Sequence, residues 1–310
     1  MTLRVSVVVS NYNYRRYLGE ALDAALSQTR PPDELIVVDD GSSDDSLAFL
    51  AAAYGQCGQL RVISQANGGQ LRALIAGTRA ATGALLFYLD ADDVWEPDYL
   101  AHVIAEYERD PELDFMYVNL RLFGQREGLW LAQNRDHDHG LTVLETRYGR
   151  HWIGAPTSAL SMRRHVALRA LDVPETLHDD WRGNADDVLI YGSSIAGARK
   201  RYLAQPLVRY RAHGSNLWLG DSSHSLVRQT RRDFAVRRLL AHFGRLYGVD
   251  QETLPLIKRE FQTKPRPTRA ELRIARQLSG QAPDGWGKRF ERWFALWRVF
   301  HRARRRLPRD

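Results

Sequence analysis

Apolar residues come in short bounded runs through the first ninety positions of this chain, separated by segments with helical spacing. Val5-Ser6-Val7-Val8-Val9 is apolar at nearly every position, the mark of a strand buried on both faces in a parallel sheet. Tyr17, Leu18, Ala21, Leu22, Ala25 and Leu26 then recur at helical intervals, and Pro31-Pro32 ends that segment. The alternation continues with a strand at Leu35-Ile36-Val37-Val38, a helix from Ser46 to Tyr54 and a short strand from Leu60 to Ser64. A turn at Asn67-Gly68-Gly69 leads into a small-residue helix from Gln70 to Ala81, and Leu85 to Leu89 forms the next strand. Strands alternating with helices predict a doubly wound, Rossmann-like α/β domain around a mostly parallel sheet.

Residues 98–215 are less regular, and the polar, His-containing stretch from Asn134 to Gly140 reads as a solvated, mobile loop. Beyond Ser222 the pattern turns helical, with Leu226, Phe234, Leu239 and Leu240 as apolar markers. Another helix is expected from Thr268 to Leu278, where Thr268 and Glu271 have the spacing of a capping box. The chain therefore divides into a domain over 1–220 and a helical extension over 221–310. Within the domain, 1–98 carries the regular alternation and 99–220 the less regular remainder.

Charge sharpens that division. Residues 258–310 hold 16 Lys/Arg and five Asp/Glu, so the net charge of +7 is an acidic body at −4 and a tail at +11. In the tail Trp286, Phe290, Trp293, Phe294, Trp297 and Phe300 fall within a ~120° arc at ~100° per residue. Lys288, Arg289, Arg292, Arg298 and Arg302 lie mostly outside the arc, and Arg304-Arg305-Arg306 follow. An aromatic face opposed by cations is the pattern of an interfacial membrane helix, here over 286–306. The same stripe also suits packing on the domain or on a second copy of the chain in a homodimer. Nucleic acid is not expected as a partner, since no nucleic-acid fold signature is present. Cys57 is the lone cysteine, which excludes an internal disulfide and fits a reducing compartment. Met1 to Arg4 lead straight into a β-branched run too short for a secretion signal, and no apolar run approaches the ~20 residues that span a bilayer. The expected location is the cytoplasm, or the inner face of the membrane.

Three strands finish in polar residues at one sheet edge: Ser10-Asn11, Asp39-Asp40 and Asp90-Ala91-Asp92. Ligands of such sheets bind outside the carboxyl ends of the strands. Paired carboxylates there suit Mg²⁺ or Mn²⁺ bridged to phosphate oxygens, where the ion stabilises a diphosphate leaving group.

With these residues the chain resembles the family 2 glycosyltransferases of GT-A fold. The resemblance rests on Val5 to Asn13, Ile36-Val37-Val38-Asp39-Asp40-Gly41-Ser42, Asn67-Gly68-Gly69-Gln70, Leu89-Asp90-Ala91-Asp92-Asp93 and Ala185-Asp186-Asp187-Val188-Leu189, in that order. A Tyr210-Arg211-Ala212-His213-Gly214-Ser215-Asn216 segment follows, as in many relatives. The resemblance implies an inverting enzyme that moves one sugar from a nucleoside-diphosphate sugar, with UDP preferred. The acceptor would be a saccharide or lipid-linked hydroxyl in cell-envelope polysaccharide or glycolipid assembly. Ser10, Asn11 and Tyr12 would line the nucleotide, and Asp40 would accept a hydrogen bond from the base. Asp90, next to Ala91, would hold the ribose or sugar; Asp92, with Asp90, would bind the metal. Asp186 is preferred over Asp187 as general base, and Pro156-Thr157-Ser158 would form part of the acceptor floor. His213 would bind a phosphate oxygen or the metal, or be structural. Many relatives carry an Arg-Asn pair where this chain has Leu74 and Ile75; Arg72 and Gln70 are the substitutes it offers. A Gln-x-x-Arg-Trp motif of processive synthases is missing, which fits transfer of a single sugar.

Two other readings compete. A nucleotidyltransferase would need a Gly-rich basic loop after the first strand, where Ser10-Asn11-Tyr12-Asn13-Tyr14 stands. A non-catalytic scaffold would be expected to lose the carboxylates, yet Asp90, Asp92 and Asp186 are all present.

Overall fold

A computed structural model describes residues 3–214 and 225–305. The predicted alternation is present: β1 (Val5–Asn11), α1 (Arg15–Leu26), β2 (Glu34–Asp39), α2 (Ser46–Tyr54), β3 (Leu60–Ser64), α3 (Gln70–Ala80) and β4 (Leu85–Asp90). These strands lie in the order β3-β2-β1-β4 and are parallel throughout. β1, β2 and β4 are buried along nearly their whole length, which is why their sequences are almost continuously apolar, whereas the edge strand β3 is not. α3 lies close to the sheet because Gly77 has no side chain: a Cβ there would sit 2.3 Å from Val8 Cγ1.

The irregular middle is ordered. β5 (Val94–Trp95), α4 (Tyr99–Arg109), β6 (Phe115–Gly124), β7 (Gly128–Leu129), β8 (His137–Leu141), α5 (Val143–Gly149), β9 (Leu160–Arg163), α6 (Arg164–Ala170), α7 (Ala185–Ile195) and β10 (Arg199–Ala212) follow. β9 enters antiparallel between β4 and β6, and β10 runs parallel to β6 with a register shift at Pro206.

The expected solvated loop at 134–140 is a correction. Its second half is β8, paired antiparallel with β10, and Asp138 Oδ2 accepts from Arg199 Nη2 at 2.6 Å and Arg201 Nη2 at 3.2 Å. Those arginines lie more than sixty residues on, so local polarity suggested a loop where distant charges make an edge strand.

The extension consists of α8 (Leu226–Leu246), α9 (Ile257–Gln262), α10 (Arg269–Gln281) and α11 (Trp286–Arg305). α8 packs on α7 through Ala235, Val236, Leu239, Leu240 and Phe243; the markers Leu226 and Phe234 face outward instead. α10 packs on α5 and starts with the expected capping box, Thr268 with Glu271. The aromatic stripe of α11 divides. Phe300 is buried with Leu296, while Trp286, Phe290, Trp293, Phe294 and Trp297 stay exposed. Ser215, Asn216 and Arg306 lie outside the described residues. Among the described residues no helix is long and apolar enough to cross a membrane.

Candidate active site

The winding of the sheet reverses between β1 and β4, and a crevice opens where their carboxyl ends diverge. It widens into a cavity of about 800 Å³. Ser10, Asn11, Tyr12, Asp40, Gln70, Asp90, Ala91, Asp92, Asp186 and Asp187 all line it. Thus strand ends and the first turn of α7, nearly 180 residues apart in sequence, meet in one space.

At the β1–β2 end, Asn11 Nδ2 donates to Asp39 Oδ2 at 2.8 Å, and Asp39 also takes the Ser42 amide and hydroxyl. Asn11 is fully enclosed, yet its Oδ1 accepts no hydrogen bond. Asp40 is fully engaged: its carboxylate accepts from the Gly68 and Gly69 amides at 2.9 and 2.7 Å and from Gln65 and Asn67. It fixes the Asn-Gly-Gly turn, whose Gly69 has φ +88 and would place a Cβ 2.8 Å from Arg182 Cα.

The β4 end carries a carboxylate cluster. Asp90 Oδ1 accepts from Ser10 Oγ at 3.1 Å and Gln70 Nε2 at 2.7 Å. Burial, then the Asp92 charge, pushes Asp90 up to about 7. Asp92 Oδ2 lies 2.8 Å from Nε2 of the buried His213, which packs against the Tyr14 and Tyr17 rings. Asp93 is enclosed behind them, bonded to Ser158 Oγ at 2.6 Å and the Arg211 amide at 2.9 Å. Pro156 and Thr157 line the cavity, and Ser158 lies beneath. The Asp92 charge acts on Asp90 and an imidazole stands beside Asp92; carboxylate and imidazole donors of this kind suit a divalent cation such as Mn²⁺ or Mg²⁺. Asp90, Asp92 and His213 would hold it.

The opposite wall is the start of α7. Gln70 joins the two sides, since its Oε1 accepts the Ala185 amide at 3.2 Å while its Nε2 binds Asp90. Asp186 Oδ1 accepts the Asp187 amide at 3.0 Å. Desolvation first, then the Asp187 and Asp90 charges, raises Asp186 well above the usual carboxylate range. Asp187 is almost wholly buried; its Oδ1 accepts from Trp152 Nε1 at 2.7 Å and its Oδ2 lies 2.7 Å from Arg232 Nη2.

Arg72 is not brought into this space. It follows Gln70 by two positions, which turns it about 200° around α3 to the exposed side, beside Gly68. Arg16, Arg182 and Arg232 are the cavity's arginines. No local pattern marks Arg232, one of many arginines in α8, or the aromatic wall formed by Trp130, Trp152 and Tyr210.

A second cluster lies elsewhere. His137, His139 and Glu271 place donor atoms within 4.8 Å of one another, so the histidine pair of β8 does have a third acidic group nearby. Lys264 Nζ is 3.2 Å from Glu271 Oε1 and 3.1 Å from Glu145 Oε2, so a buried ammonium serves as the cation there.

Residues 6–171 match Glycosyl transferase family 2. An uncharacterized glycosyltransferase of Nostoc sp. is 34% identical over 226 residues, 71% of this chain and 68% of that protein. A chondroitin synthase of Escherichia coli is 35% identical over 124 residues, 40% of this chain but only 18% of that protein. Among solved structures, S. aureus TarS in complex with UDP aligns at a TM-score of 0.56 and 16% identity, covering 99% of this chain and 93% of the other. A mannosyltransferase from Pyrobaculum calidifontis in complex with GDP-Man and Mn²⁺ aligns at 0.51 and 17% identity, covering 100% and 77%.

Proposed function

Because the chain belongs to glycosyl transferase family 2 and has the GT-A fold, we propose that it transfers one sugar, with inversion, from a UDP-sugar to a saccharide hydroxyl. The observation that carries this reading is the pairing, across one cavity, of the Asp90–Asp92–His213 cluster with Asp186, tied together by Gln70.

The enclosed Asn11 Oδ1 is the acceptor left for an N–H of the nucleobase, and Tyr12 borders the same end. UDP is favoured by the TarS complex, which is similar in fold. Asp90, Asp92 and His213 would hold a divalent ion, which would neutralise the charge that grows on the departing diphosphate. Asp186 accepts the acceptor's hydroxyl proton as that oxygen bonds to the anomeric carbon; the bond from that carbon to the diphosphate breaks on the opposite face. Burial and the neighbouring carboxylates raise the Asp186 carboxyl above its ordinary range, which strengthens its hold on a proton and suits it to the role of general base. Trp130, Trp152 and Tyr210 offer apolar ring faces to an acceptor saccharide. The exposed aromatics of α11, with arginines around them, suit docking on an anionic membrane surface, where a lipid-linked acceptor in envelope assembly would be met.

The test is a thermal-shift screen of UDP, GDP, dTDP and CDP with and without Mn²⁺, followed by Asp186→Asn. A ligand at 100 times its Kd adds about 2.7 kcal/mol, so a Mn²⁺-dependent shift with UDP is expected. Asp186→Asn should keep that shift and lose about 10²–10⁴ in turnover. A wild-type rate in Asp186→Asn removes the base assignment, and no shift with any nucleotide returns the chain to the scaffold reading.

A further inference from the structure

The family match ends at residue 171, yet the cavity is lined by a residue of α8, sixty-one positions further on. We infer that Arg232 is a positioning residue: from the C-terminal extension it clamps the first turn of α7 and so fixes the direction of Asp186. The inference rests on the reading of Asp186 as the base.

α7 begins without a side-chain cap of its own. In an ordinary capping box the residue before the helix and the third residue within it satisfy each other's amides. Here those positions are Asn184 and Asp187, and one guanidinium spans them from outside. Arg232 Nη2 lies 2.7 Å from Asp187 Oδ2. With the Asn184 amide oriented to satisfy its neighbours, its oxygen accepts from Arg232 Nη1 at 2.8 Å. A guanidinium carries two terminal nitrogens in one rigid plane, so it can face two acceptors at once in a fixed geometry. Asp186 sits between the two clamped residues. Its own Oδ1 is tied to the Asp187 amide, so any rotation of that turn carries the base with it.

Asp187 is held on its other oxygen by Trp152. Its buried carboxylate is thereby committed to the clamp, which leaves Asp186 as the carboxylate that meets an acceptor. α8 is itself seated by Leu239, Leu240 and Phe243 against the domain. The extension is therefore part of the active site.

Two readouts test this. In the protein without substrate, hydrogen exchange at the amides of 184–189 should rise about tenfold in Arg232→Gln, as expected for a loosened first turn, while exchange in β1 and β2 rises by less. In turnover of UDP-GlcNAc with Mn²⁺, followed as UDP release, kcat should fall on the order of 10- to 100-fold with donor KM within twofold. Arg232→Lys should recover part of both. The double variant Arg232→Gln/Asp187→Asn should lose no more than the worse single variant, because both break one clamp. Unchanged exchange at 184–189, multiplicative losses in the double variant, or a change confined to KM would overturn the inference. If Arg232→Gln does not fold, Asn184→Ala opens the other arm of the clamp and should give the same exchange signature. Exchange does not depend on catalysis, so a failure of the Asp186 assignment is distinguishable: there Asp186→Asn keeps full rate while the exchange result stands.

Discussion

Asp90, Asp92 and Asp93 follow one buried strand, and each is committed differently. Asp93 is held by Ser158 and the Arg211 amide, Asp90 by Ser10 and Gln70, and Asp92 by His213. Desolvation, then the neighbouring carboxylates, raises both Asp90 and Asp93. Protons would therefore compete with a divalent cation for the cluster. Mn²⁺-dependent UDP affinity, measured by calorimetry, should weaken as pH falls through about 7, where Asp90 takes up its proton. Asp92→Ala should reduce the Mn²⁺-dependent part by at least about tenfold and leave metal-free UDP binding in place. Metal-dependent affinity equal to wild type in that variant would remove the cluster from cation binding.

Helix α10 shows how one side chain joins an element to its surroundings. Glu271 closes the capping box with Thr268 and also meets His137 and Lys264. Burial opposes its charge, but His137, Lys264 and the Thr268 amide outweigh burial and hold it well below its ordinary value of 4.5. A depressed carboxyl contributes stability above its unfolded pKa and loses it as pH falls. Glu271→Gln should therefore cost about 3 kcal/mol at neutral pH. In urea titrations the gap between variant and wild type should narrow progressively as pH falls below 4.5; a constant gap across pH would show that the ion pairs do not matter. The capping box was legible because it is local, three residues apart, as were β1 to β4 because burial on both faces leaves an apolar run. β8 was not, since its order comes from Arg199, Arg201 and Glu271 far along the chain. The site divided in the same way: carboxylates at strand ends could be read, whereas the engagement of Asp40, the outward turn of Arg72 and the reach of Arg232 depend on packing.

At the scale of the molecule, α11 is fastened by Leu296 and Phe300 and turns its remaining aromatics outward, with Trp286 83% and Phe290 72% exposed. Co-sedimentation with vesicles of anionic lipid is expected, and weaker binding to neutral vesicles and in high salt. Phe290→Ser with Trp297→Ser should reduce vesicle binding strongly while leaving UDP binding intact, since neither ring belongs to the core. Failure to bind vesicles together with concentration-dependent dimerisation would assign the face to a second copy. The arrangement of the cavity also has a consequence for how the protein is born. A ribosome delivers Ser10 early and Arg232 late, 222 residues afterwards. At ~5–20 residues per second that interval is roughly 10 to 45 seconds. Throughout it the nascent chain holds its acidic strand ends before the helix that braces α7 has emerged, so a message cut short before α8 yields a polypeptide with every recognisable motif and an unbraced base.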